Sequence, residues 1–277
     1  LAFYLESAAS SWQLPTLRLA VSAIQHLHRQ HGCALDPTIA RGLRGTLAGL
    51  IRKPVHPPAA LDLATLVGLL DAMPATLLGK RNRAILLLGF AAALRPGEIV
   101  GLDLVVPAPG GTGLITFTRD GIEILLRRSK TDPQQSGIRK LIPNGCTPCP
   151  VTALRDWLKA AGIAAGVVFP SSRPLRGASP ARLTRNGLLE VVRQAADLAA
   201  RKAGLPLERS NRARTFTGRS LRSGFVTSAI RANLCPASIT IHVGWTSPRM
   251  AVNYSRSLGG DRELIGHILD WHRPHAN

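Results

Sequence analysis

Acidic residues are scarce in this chain of 277 residues: 16 Asp and Glu stand against 35 Lys and Arg, a formal net charge of +19. Few enzymes acting on small metabolites carry such a surplus. The imbalance points to a polyanionic partner, of which a nucleic-acid backbone is the commonest. The basic residues are spread along the chain, so the sequence has no basic tail to serve as a disordered nucleic-acid arm. Aromatic residues make up 4%, too few for a platform on which single-stranded bases stack. Duplex DNA held by its phosphates fits better. The four cysteines are Cys33, Cys146, Cys149 and Cys235. Cys146 and Cys149 form a CxxC, but no second Cys or His pair lies at zinc-ligand spacing. They read as a loop leading into a helix in a reducing compartment. No apolar run is long enough to span a membrane, the longest being 84–94, and no signal-peptide pattern is visible. Neither a carboxylate cluster nor a phosphate-binding glycine loop is present. The chain opens on Leu1 rather than Met, so residues ahead of it are expected.

Apolar residues are plentiful at 45%, enough for a sizeable core. Leu14, Leu17, Val21, Ile24 and Leu27 fall at helical spacing, and Thr38 to Ile51 reads as a further helix carrying Arg41 and Arg44. Lys53-Pro54-Val55-His56-Pro57-Pro58 cannot continue a helix and forms a stiff connector. We therefore expect a helical domain over 1–54 and a second domain over 59–277. Asp62 caps a helix through Leu70. The segment Ile85–Leu94 is apolar on all sides and belongs at the domain centre. It exits at Arg95-Pro96, where the proline disfavours helical geometry at Arg95. From 113 to 143 the period changes to two. Asp120-Gly121 marks a two-residue hairpin turn between strands, and Gly137 to Ile142 supplies a third strand. Helices resume at Val151–Ala161, closed by Gly162, then at Leu183–Ala203, near Arg219–Ala232, at Pro236–Val243 and at Ser247–Tyr254. The expected class is mainly α with a small antiparallel β-sheet, an α+β arrangement.

Against this background one ordered set of residues stands out. Arg95 lies in Ala93-Leu94-Arg95-Pro96-Gly97-Glu98-Ile99-Val100-Gly101-Leu102. Lys130 lies in Ser129-Lys130-Thr131-Asp132, just past the hairpin. Arg219 and Arg222 flank Ser220-Leu221, within Ser220-Leu221-Arg222-Ser223-Gly224-Phe225. Trp245 follows in Val243-Gly244-Trp245-Thr246, and Tyr254 stands nine residues later. Singly, each has an ordinary reading: a surface arginine, a solvated hairpin lysine, a core tryptophan, a half-buried helix tyrosine. As an ordered set, these boxes resemble the tyrosine recombinase, or phage integrase, family over nearly the whole chain.

The resemblance implies a helical core-binding domain followed by a catalytic domain. In such a protein Arg95 and Arg222 grip the scissile phosphate, Glu98 supports them, Lys130 is the hairpin lysine and Tyr254 is the nucleophile. The residue types suit the chemistry. Paired guanidiniums match the charge that builds on non-bridging oxygens. A lysine on a hairpin can protonate the leaving 5′ oxygen. Cationic neighbours favour the phenolate of a tyrosine. No metal or nucleotide cofactor is needed. The implied partner is double-stranded DNA, bound as a homotetramer on two sites in the bacterial cytoplasm, at the nucleoid, with no membrane. Leu264, Ile265, Ile268, Leu269 and Trp271 in the tail would dock on a neighbouring protomer. The sequence departs from the family at Arg219, where most members have His, and it carries Trp245 where many have a second His. Arginine donates to phosphate but does not exchange a proton near neutral pH. Two other readings therefore stay open: a DNA-binding protein of this fold that does not cut, and a type IB topoisomerase-like swivelase.

Overall fold

The computed structural model describes residues 2–9, 11–33, 59–127, 137–171, 181–204 and 216–257, with positions 36, 38, 39, 41, 42, 45 and 47 between them. The chain divides into two compact units, Leu1–Pro57 and Pro58–Asn277.

In the first unit α1 spans Ala2–Ala9 and α2 spans Leu14–Gln30. Pro15 sits in the first turn of α2, where its missing N–H is no loss. Leu17 and Val21, four apart on one face, are buried with Leu47 against Ala8, Ala9 and Leu14. Ile24 is half-buried and Leu27 is exposed, so only the N-terminal part of the expected apolar stripe is covered. The proline-rich connector 53–58 lies outside the described residues.

The second unit begins with α3, Leu63–Asp71. The Asp62 carboxylate accepts from the Thr65 backbone N–H at 3.1 Å, the expected cap. Helix α4, Leu77–Ala91, follows from a Thr76 cap and buries every residue from Ala84 to Phe90. It is the central helix of the unit and packs along α6 and α8, introduced below. It ends three residues earlier than the apolar run suggests. Ala93 takes a left-handed φ of 48°, and the Leu94 N–H bonds back to the Gly89 carbonyl at 3.0 Å, closing the helix as a glycine would. Arg95 is then extended, φ −74° and ψ 154°, and opens the short helix α5, Pro96–Val100.

A five-stranded sheet comes next, in the order β4-β3-β2-β1-β5. Its strands are β1 Leu102–Leu104, β2 Gly113–Phe117, β3 Gly121–Leu126, β4 Ile138–Pro143 and β5 Gly166–Val167. Strands β2, β3 and β4 form the expected antiparallel meander. Strand β1 joins it in parallel with β2, and β5 is antiparallel to β1. The β2–β3 turn also differs by one residue from the expected one. Thr118 N–H bonds to the Gly121 carbonyl at 2.9 Å, so Arg119 and Asp120 are its central pair. Gly121 serves a different purpose: a Cβ there would lie 2.1 Å from the Ile142 carbonyl oxygen on β4.

The remaining helices are α6 Pro150–Ala161, α7 Arg185–Lys202, α8 Ser220–Arg231, α9 Pro236–Val243 and α10 Arg249–Ser257. Cys149 caps α6 and Gly162 closes it at φ 68°. The main core joins α3, α4, α6 and α7 to the inner face of the sheet. A second, smaller cluster joins Ala93 to Val226, Ala229, Ile239, Val243 and Ala251, with Phe225, Trp245 and Tyr254 at its edge. That cluster seats the last three helices against the exit of α4.

Candidate active site

Arg95, Arg222, Trp245 and Tyr254 of the basic and aromatic set converge at the C-terminal end of α4. Arg95 is held by Glu98 at two points. The carboxylate accepts from the Arg95 backbone N–H at 2.7 Å and from its Nη1 at 2.6 Å. Glu98 is buried while the Arg95 side chain remains 31% exposed. The guanidinium is thereby fixed at its base and presented at the surface. The proline at position 96 sets this geometry by forcing Arg95 out of the helix.

Arg222 comes from α8 and is 9% exposed. Its Nη1 donates to the Ala93 carbonyl at 2.8 Å. The left-handed turn at Ala93 therefore has a role, presenting to Arg222 a carbonyl that no further helical turn takes up. The Nη2 of Arg222 is buried with no hydrogen-bond partner among the described residues. Burial, reinforced by the Arg95 charge, pulls the guanidinium down to about 10, with Glu98 and Tyr254 opposing. A buried cationic donor left in this state is expensive unless an anion meets it.

Trp245 and Tyr254 complete the cluster. The Arg222 guanidinium lies 5.9 Å from the Trp245 ring centroid. The Trp245 and Tyr254 rings stack at 5.9 Å with 26° between planes. Both are half-buried. Tyr254 shares a face of α10 with Ala251, which is buried in the second cluster, and this fixes the rotation of the helix. Arg219 flanks α8 at its N-terminal end, three residues before Arg222, and its side chain is exposed. Lys130 lies outside the described residues.

Two residues of the cluster escape motif reading. Lys140 is 3% exposed and shares the inward face of β4 with Ile138 and Ile142. Its Nζ donates to the carbonyl of His242, at the end of α9. Burial, with the Arg222 charge next and Arg95 after it, lowers the ammonium to about 8 against the pull of Glu98. His242 donates from Nε2 to the Ala91 carbonyl at 2.8 Å, a carbonyl being only an acceptor, and stacks on Phe225 at 4.7 Å. Burial lowers its pKa, and the Lys140 and Arg222 charges add to the effect. The sequence did hold a signal for Lys140. A lysine in the apolar phase of an alternating strand is out of place unless something buried receives it. His242 left no comparable trace.

No protein-family model matches the chain. An integrase/recombinase XerD homologue from Selenomonas ruminantium is 29% identical over 178 residues, 64% of this chain and 47% of that protein. The chain thus spans about half the length of that relative. Among solved structures, the XerH site-specific recombinase in a post-cleavage complex with its difH substrate aligns over 97% of this chain and 71% of its own, with TM-score 0.63 and 14% identity. The chain has the tyrosine-recombinase fold. The Tn1549 transposon integrase in complex with circular intermediate DNA shares it over 95% of this chain and 83% of that one, with TM-score 0.59 and 13% identity. A lambda integrase dimer bound to a core site shares it at TM-score 0.52 and 15% identity, over 90% and 61% of the two chains. Within this fold the boxes around Arg95, Arg222, Trp245 and Tyr254 come together in three dimensions. Among the described residues no group of three or more His, Cys, Asp or Glu could hold a metal ion, and no helix is long and apolar enough to cross a membrane.

Proposed function

We propose that the protein is a site-specific DNA recombinase or integrase that cleaves and rejoins duplex DNA through a 3′-phosphotyrosyl intermediate on Tyr254. The observation that carries this reading is the buried Nη2 of Arg222, without a hydrogen-bond partner among the described residues, set near Arg95 and one ring away from Tyr254. A phosphodiester offers two non-bridging oxygens, the acceptor that a buried guanidinium donor lacks. In this mechanism the Tyr254 oxygen attacks phosphorus and the bond to the 5′ oxygen breaks. Lys130 delivers a proton to that oxygen, and the phenolic proton passes to solvent or a base. Arg95 and Arg222 bind the charge that accumulates on the non-bridging oxygens, where such donors are worth most. Trp245 backs the phosphate and braces Tyr254, and Arg219 adds an outer phosphate contact. The phosphotyrosyl bond keeps the energy of the diester, so a 5′ hydroxyl reverses the step without metal or nucleotide cofactor.

The helical unit at 1–54 and the catalytic unit at 59–277 are proposed both to bind the duplex, closing around it. Four protomers would assemble on two sites through the C-terminal tail, in the bacterial cytoplasm at the nucleoid. A second reading rests on Arg219, which replaces a proton-exchanging histidine and is exposed. On that reading the protein binds DNA without cutting it. Covalent trapping separates the two. The full chain is incubated with nicked suicide duplexes drawn from the DNA flanking its own gene, alongside Tyr254→Phe, and resolved on denaturing gels. A Tyr254-dependent adduct supports the recombinase. Retarded DNA without adduct supports the binder.

A further inference from the structure

We propose that Lys140 is a positioning residue of this site: a buried ammonium that braces the end of α9 and thereby sets the Trp245 ring against which Tyr254 stacks. The inference rests on the recombinase reading only for its consequence in catalysis; the brace itself is a structural claim. Helix α9 ends at Gly244, which turns left-handed at φ 75°. Its closing bonds run from the Gly244 and Trp245 N–H groups to the Thr240 and Ile241 carbonyls. The His242 carbonyl is left over, and Lys140 Nζ takes it. A cation at a helix C-terminus is favoured both by the orphan carbonyl and by the helix dipole.

Strand β4 touches the same turn a second time. A Cβ on Gly244 would lie 3.2 Å from Ile138 Cδ1. Ile138 and Lys140 are on one face of β4, so the strand holds the turn by one apolar contact and one polar bond. The residue after Gly244 is Trp245, whose ring lies 5.9 Å from the Arg222 guanidinium and stacks on Tyr254. The His242 side chain ties the same residue to the Ala91 carbonyl at the exit of α4. One residue is thus anchored by its carbonyl to the sheet and by its ring to the central helix. Error in its place would pass directly to Trp245 and Tyr254.

Among the described residues, the charged and titratable groups around Lys140 are Arg222 from α8, Arg95 and Glu98 from the start of α5, and His242 from α9. Glu123, half-buried on β3, and Arg139, exposed on β4, pair with each other. Loss of the Lys140 proton removes the charge that grips the helix end, so the Trp245 environment should carry a pH response that depends on Lys140.

The test uses the full chain, with its indole N–H resonances followed by NMR and that of Trp245 identified by its loss in Trp245→Phe. The Trp245 resonance is expected to move with a midpoint near pH 8 in the parent and to be independent of pH around that value in Lys140→Met. Lys140→Arg keeps the charge and should hold the low-pH position throughout. On nicked suicide DNA, Lys140→Met should lower the adduct rate about 10- to 100-fold, the scale of a small misplacement of reacting groups. DNA affinity should stay within about twofold, and Lys140→Arg should recover most of the rate. A Trp245 resonance that titrates identically in the parent and Lys140→Met would overturn the proposal, as would a parent resonance that does not move with pH, an observation that needs no variant. If the parent forms no adduct on any DNA, the recombinase reading fails, while the NMR titration still decides whether Lys140 braces the turn.

Discussion

Replacing Lys140 with methionine should change how the stability of this protein depends on pH, and the size of the change follows from the structure. Lys140 is 3% exposed, and burial with the Arg222 and Arg95 charges brings its pKa from 10.5 to about 8. In the unfolded chain the group returns to its ordinary value. The fold therefore binds this proton less tightly than the unfolded chain does. Below pH about 8 both states are protonated, and the ammonium opposes folding by the whole difference, on the order of 3 kcal/mol. As pH rises towards 10.5, folded Lys140 is already neutral while unfolded Lys140 still holds its proton. Stability from this group is regained across that window, about 2 kcal/mol of it by pH about 9.5. Methionine fills a similar volume and does not titrate. At neutral pH it removes the unfavourable charge but leaves the His242 carbonyl unbonded, a loss of about 1–3 kcal/mol. These two effects offset each other near pH 7, so the signal lies in the slope. Urea denaturation of both chains at pH about 7 and about 9.5 measures it, and other titrating groups cancel in the subtraction. Stability curves that run parallel for parent and variant between those pH values would refute the reasoning.

Arg222→Met should remain folded, because the lost bond to Ala93 is offset by relief of a buried guanidinium with an unpartnered Nη2. Its adduct rate should fall at least about 10²-fold, the usual effect of removing one transition-state donor. Melting curves and covalent trapping check the two halves, and a variant that is inactive only because it is unfolded would count against the clamp. Gly224→Ala should destabilise the protein by about 1–3 kcal/mol or more. Its Cβ would fall 1.8 Å from the Leu61 carbonyl oxygen, which is backbone and cannot swing aside; denaturant midpoints read the effect. Arg219→His introduces a group that exchanges protons near neutrality and should raise the adduct rate. An unchanged rate would place the side chain at 219 outside the reaction.

Where a feature depends on local chemistry, the sequence shows it. The caps at Asp62 and Gly162, the Arg95–Pro96 exit and the two strands that flank the hairpin are all legible, because each rests on residues within a few positions of one another. The end of α4 is not legible. Its apolar run continues to Leu94, and only the tertiary demand for a carbonyl at Ala93 explains an alanine in the left-handed region. Strands β1 and β5 hold three and two residues, too few to show a period, so the parallel pairing of β1 with β2 leaves no trace. The turn shifted by one residue because Gly121 answers to β4 across the sheet and not to the turn beside it. In the site, the boxes around Arg95, Arg222, Trp245 and Tyr254 carry their own pattern. Lys140 acts across 102 positions on a backbone carbonyl, and a carbonyl has no residue identity to read.

On the proposed recombinase reading, the site's electrostatics would favour a reacting phosphate over a resting one. Among the described residues of the site, below pH about 8, Arg95, Arg222 and Lys140 are set against a single carboxylate, Glu98, leaving two positive charges; in the proposed step Lys130 gives its proton to the leaving oxygen and so drops out of the count as the bond breaks. The fold partly compensates them with backbone carbonyls: that of Ala93 receives Arg222 and that of His242, at the end of α9, receives Lys140. These dipoles stabilise the cations without neutralising them. A phosphodiester brings one negative charge and so leaves one positive charge unmatched. The five-coordinate phosphorane that attack by a deprotonated Tyr254 would form would carry two, and would match the site. An arrangement whose charge balance is reached only at the transition state gains its binding energy there, the condition for accelerating a chemical step instead of merely holding the substrate. The same charge count makes Lys140 part of that balance as well as a brace. Once its proton is lost, the ground-state diester already neutralises the site, and the advantage of the transition state narrows. The adduct rate should therefore decline above pH about 8 by more than the affinity for uncut DNA does.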